Sequence, residues 1–144
     1  MTVRYHHTQA GTLMLAVLIL SAVVCAAVGY LDPPAPPRGL LWALALMFVL
    51  LAWTFSSLTV DVTETEIRWH FGPGLLHYRV ARGDIAAVAV VRNNMLSGFG
   101  IRMRPGFRLY NVGGLDAVEL RLKDGAVRRV GTDDPSGLAA ALEA

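Results

Sequence analysis

His70, His77 and Asp84 are the side chains whose chemistry draws attention first. Two imidazoles and a carboxylate can hold a metal ion or share acid–base work. If residues 67–71 and 75–81 form a hairpin across Gly72-Pro73-Gly74, the two histidines approach each other. No HExxH pattern, no second carboxylate at a fixed spacing and no nucleophile elbow accompanies them. Strand histidines at or near the surface are therefore the simpler reading. A membrane-embedded hydrolase or metal enzyme built on the three residues stands as the alternative. Gly98-Phe99-Gly100 does not lead from a strand into a helix, so it fails the context of a nucleotide fingerprint and reads as a strand entry. Asp133-Asp134 could meet a cation, but with Pro135 beside it a helix cap is simpler. No cofactor is expected.

A second group is cationic. Arg102 and Arg104 share a strand face opposite Ile101 and Met103, and Arg108 begins the next strand across Pro105-Gly106, with Arg92 upstream. Such a set could meet anionic lipid headgroups at about 1 kcal/mol per contact, or could be an ordinary solvated face. Between Arg92 and these residues, a loop offers Met95 and Leu96 as a tip for a partner or a membrane.

These groups must be positioned by elements, and composition bounds what those are. The chain has 144 residues, 54% hydrophobic and 17% charged, with a mean hydropathy of +0.47. A soluble domain is about 45–50% apolar and about 25% charged, so a purely soluble protein is excluded. The net charge of +2 is spread without a basic stripe, which argues against nucleic acid. The lone Cys25 lies inside an apolar run, so there is no disulfide framework and no cysteine metal cluster. Its neighbours are more apolar span rather than the polar tether of a lipid-anchored cysteine.

Residues 12–31 and 39–60 are long uncharged runs, each long enough to cross roughly 30 Å of hydrocarbon as a helix. Four prolines within residues 32–38 turn the chain between them. The expectation is a two-helix transmembrane hairpin. A cleaved signal peptide is the rival for the first run, whose apolar core is longer than a usual signal core. Residues 1–11 then form an N-terminal segment with Arg4 and a polar His6-His7 flank. With Arg4, Arg68, Arg79 and Arg82 against one Arg38 in the turn, both termini are expected in the cytoplasm.

Residues 61–144 read as a β-rich cytoplasmic domain. Residues 58–62 and 67–71 read as strands around a turn at residues 63–66, and from Ile67 onward about seven short strands follow one another, with Asp124-Gly125 as a hairpin turn. Val127 and Val130 break the two-residue period, so a bulge near Arg128-Arg129 is expected to bring both into the core. Asp134 caps, and Pro135 opens, a short helix with Leu138, Ala141 and Leu142 on one face. Too short to be stable alone, it must dock on the sheet.

Gly98-Phe99-Gly100-Ile101, Tyr110, Val118-Glu119-Leu120, Lys123-Asp124-Gly125 and residues 130–135 before Leu138 carry a resemblance. From about Ile67 to Leu142 the chain resembles membrane-anchored bacterial proteins with a pleckstrin-homology-like domain. The resemblance implies an α+β membrane protein of the bacterial inner membrane, with a seven-stranded barrel or sandwich capped by the C-terminal helix. It implies binding, scaffolding or complex assembly rather than catalysis, with membrane lipids and a protein partner. A lipid-headgroup sensor acting through Arg102, Arg104 and Arg108 is the further alternative.

Overall fold

A computed structural model describes residues 2–31, 38–97 and 99–144. The expected proline turn at residues 32–37, and Gly98, lie outside the described residues. The described residues form an α+β arrangement with two sheets and three α-helices.

The first sheet is antiparallel in the order β1 (Val3–Ala10), β2 (Ser57–Thr63), β3 (Glu66–Phe71), β4 (Leu76–Ala81). The second runs β5 (Ile85–Arg92), β8 (Asp116–Leu122), β9 (Val127–Gly131), β7 (Phe107–Asn111), β6 (Gly100–Arg104), with β7 and β9 parallel. The sheets face each other over Leu58, Val60, Val62, Ile67, Trp69 and Phe71 on one side and Tyr110, Val118, Leu120 and Val130 on the other. They form two separate layers and do not close into a barrel, which corrects the expected seven-stranded barrel. Helix α3 (Pro135–Glu143) inserts Leu138 and Leu142 between the layers. Its N-cap is Asp134, which accepts from the Gly137 N–H at 3.0 Å.

Two expectations about the N-terminal half are also corrected. Residues 3–10, expected as an N-terminal segment with a polar His6-His7 flank, are strand β1. The inward positions Tyr5, His7 and Gln9 alternate with outward ones, and each finds a distant polar partner. Tyr5 donates to Asp134, His7 meets Asp133, and Gln9 donates to the Gly113 carbonyl. The second apolar run does not stay helical to Val60. Helix α2 (Arg38–Thr54) stops, and β2 begins at Ser57, where Leu58, Val60 and Val62 point into the core with period two.

Helix α1 (Thr12–Tyr30) has 19 residues and is long and apolar enough to cross a membrane; only Ala22 and Gly29 along it are buried. Helix α2, at 17 residues, is shorter than such a span. One candidate span among the described residues replaces the expected pair. The two helices pack antiparallel. At one end Gly11 donates to the Ser56 carbonyl at 2.8 Å; at the other, a Cβ on Gly29 would stand 3.4 Å from Leu41 Cβ. Small residues at such a seam let the backbones approach.

The helical pair joins the sheets at a tight seam. Gly72 has φ +44°, and a Cβ there would lie 2.6 Å from the Trp53 and Thr54 carbonyl oxygens. Gly72→Ala is therefore expected to cost at least about 2 kcal/mol, since left-handed strain alone is about 1–2 kcal/mol per residue. Denaturant titration of the detergent-solubilised chain measures it, and an unchanged midpoint would contradict the tight seam.

Candidate functional site

The β3–β4 hairpin forms as expected and sets His70 directly opposite His77. Both face outward on the first sheet, beside Asp61, Arg68 and Arg79. In the adjacent row, His6 stands opposite Asp61 and hydrogen-bonds its carboxylate at 2.5 Å. Asp84 does not join them. It ends the 3-10 turn Arg82–Asp84 beyond the far end of β4, and His77 to Ala81 alone spans about 13 Å of strand. Among the described residues, no group of three metal-ligating side chains is placed to hold an ion. The hairpin thus brings His70 and His77 together without Asp84.

The arginine set is split by register. Arg102 pairs with Leu109 and Arg104 with Phe107, all on the outer face of the second sheet. Arg108 pairs with Met103 and so lies on the opposite face, the Tyr110 side of the sheet, beside Arg128 of β9, where both Arg108 and Met103 are exposed. The sequence reading put Arg108 with the other two because it counted strand neighbours without the register. Arg92 stands at the other end of β5, opposite Asp116.

On the outer face Arg102, Arg104 and Arg129 line a cleft of about 160 Å³ floored by Phe107 and Leu109. The Arg129 guanidinium lies 5.2 Å from the Phe107 ring centroid, within cation–π range. Here the sequence reading missed a polar network. Glu119 accepts from Arg129 Nη2 at 2.5 Å and from Arg121 Nε at 3.1 Å, and Arg129 Nη1 donates to Asn93 Oδ1 at 3.0 Å. The hydrogen bond from Arg129 holds the Glu119 carboxyl below its usual range, against the upward push of burial. The network needed the β8–β9 register, which sets Glu119 opposite Arg129. That register runs without the expected bulge: Val130 points into the core and Val127 to the outer face.

Met95 and Leu96 form the turn between β5 and β6 and are 79% and 84% exposed. Their place in the fold is informative. Gly100, where β6 starts, sits against the first turn of α1: a Cβ on it would be 3.8 Å from Met14 Cε. Phe99 and Leu75 are also exposed, and the β3–β4 turn carrying Leu75 abuts the end of α2 through Gly72. Four exposed apolar side chains thus lie at the end of the β domain from which both helices emerge. Arg104, by contrast, lies about 13 Å farther along β6, toward the opposite end. No protein-family model matches the chain, and no curated protein matches it.

Proposed function

We propose that this chain is a membrane-anchored, non-catalytic binding module whose β domain rests on the bilayer through the Met95–Leu96 turn. The carrying observation is the coincidence, at one end of the domain, of an exposed apolar helical projection and four exposed apolar side chains. An apolar α1 exposed on most of its surface is stable in lipid and costly in water. Where α1 enters the bilayer, the turn beside its first residues is held at the headgroup level, and Met95, Leu96 and Phe99 gain by entering the interface. The basic residues on the domain side, Arg4, Arg68, Arg79 and Arg82, favour the cytoplasmic face of a bacterial inner membrane. The rigid two-sheet core closed by α3 suits a role in scaffolding or assembly with a protein partner. Arg102 and Arg104, directed away from the anchor end, are left for a partner rather than for headgroups.

The test uses fluorescent labels in the full chain with Cys25→Ser, reconstituted in vesicles carrying acyl-chain spin labels. A bimane on Leu96→Cys is expected to be strongly quenched and blue-shifted, and one on Asp124→Cys, in the β8–β9 hairpin, to be neither. Equal quenching at the two positions would refute the resting geometry, and loss of the chain from membranes at alkaline pH would refute the anchor.

A further inference from the structure

Between the edges of the two sheets, at the end away from α1 and α2, lies an open cavity of about 510 Å³ lined by Tyr78 over the buried Trp69 and Tyr110, by Arg128, and by Arg108, which is exposed at its mouth. Two features make it unlike a plain gap in packing. The first is a like-charge pair. Arg108 and Arg128 are direct partners in the parallel β7–β9 register, and like charges placed so destabilise a sheet unless something lies between them. Among the described residues no carboxylate is within ion-pair distance of either, and Arg128 donates only to the neighbouring Val127 carbonyl. Arg79, on the outer face of β4, adds a third guanidinium at the rim, which also carries Asp84 and Glu66, the latter held by Arg68. Guanidiniums therefore outnumber carboxylates.

The second feature is an aromatic cluster behind the cavity. Trp69 and Tyr78 stack with centroids 6.1 Å apart, and Tyr110 closes on them at 5.1 and 4.6 Å. Trp69 and Tyr110 are each 1% exposed, so the half-buried Tyr78 is the ring that the cavity reaches, and the unpaired Trp69 indole N–H lies behind it as a nearby reporter. Burial and the nearby Tyr110 also push the Tyr78 hydroxyl up, against Arg108, so it remains a proton donor.

We infer that this cavity binds a small organic anion, with a flat apolar body against Tyr78 and its oxyanion between Arg108 and Arg128. A planar carboxylate fits the guanidinium fork and relieves the like-charge pair. The site lies at the opposite end from the membrane-facing turn, so it stands whether or not the domain rests on lipid.

The experiment titrates the full chain in detergent with 1-naphthoate, its neutral counterpart 1-naphthamide, and sulfate, following the indole N–H resonance of Trp69, assigned by Trp69→Phe. Naphthoate is expected to shift that resonance saturably, and both naphthamide and sulfate to bind at least about tenfold more weakly, a step of about 1.4 kcal/mol. Arg108→Gln with Arg128→Gln is expected to weaken naphthoate by a similar factor. A Trp69 resonance that naphthoate leaves unmoved overturns the site. Naphthamide binding as tightly as naphthoate overturns the anion requirement, and sulfate binding as tightly overturns the organic class. These comparisons need only the unaltered protein, so they hold even if the double variant folds poorly.

Discussion

Glu119→Ala is expected to cost the folded β domain about 3 kcal/mol, seen as a lower denaturation midpoint at pH 7. The carboxylate is 7% exposed and joins Arg129 to Arg121. Removing one member of a buried ion pair costs about 3–5 kcal/mol, because the other charge is left in poor solvent. The lower end applies because the Arg129 side chain is 23% exposed and keeps Asn93 and the Phe107 face as partners. The same group sets a pH dependence. Its folded pKa lies below its ordinary value of 4.5. Its contribution is therefore complete above that value and is lost as pH falls through the depressed folded value. Wild type should lose stability below about pH 4.5 more steeply than Glu119→Gln, which has no carboxylate to protonate. Parallel acid limbs for the two proteins, or an unchanged midpoint for Glu119→Ala at pH 7, would mean that the network contributes little.

The β5–β9 half of the domain was legible because its signals are local. Alternation in β8 assigned Val118, Leu120 and Leu122 to the core, and Asp134-Pro135 marked the start of α3. The His70–His77 juxtaposition was legible too, since Gly72-Pro73-Gly74 allows only a tight return. What escaped depends on long-range pairing. Strand β1 buries Tyr5 and Gln9 rather than aliphatic residues, so its period of two carries no hydrophobic contrast; its partners Asp134 and Gly113 are far along the chain. The strand over residues 58–62 was legible, but the end of α2 was not: Leu58 and Val60 are as apolar as the helix before them, so the second run reads as helix to Val60, and only the pairing of β2 with β1 and β3 decides the change. The split of Arg108 from Arg102 and Arg104, and the meeting of Arg108 with Arg128, are register facts. A parallel β7–β9 pair cannot be read from either strand alone.

Leu138→Asp is expected to have the largest effect of any single substitution in the domain. Helix α3 has nine residues and could not persist in water by itself, so its stability comes from what it buries. Leu138 is fully buried in the cluster formed by both sheets, one turn before Leu142. Truncating such a leucine costs about 2–5 kcal/mol, and placing an unpaired carboxylate there adds more. That sum approaches the 5–15 kcal/mol typical of a whole domain. Undocking the helix also removes Asp134 from Tyr5 and the Leu142 carbonyl from Arg82, so β1 and the turn before β5 lose anchors together. The full chain in detergent should melt about 15 °C or more below wild type, at about 4–8 °C per kcal/mol for a domain of this size. It should also become sensitive to protease in β1. Ala140→Asp supplies the control, because that position is on the exposed face of the same helix and the same carboxylate there should be nearly neutral. Equal melting of the two variants would show that α3 is an ornament on the sheets; a large gap between them would show that it closes the core.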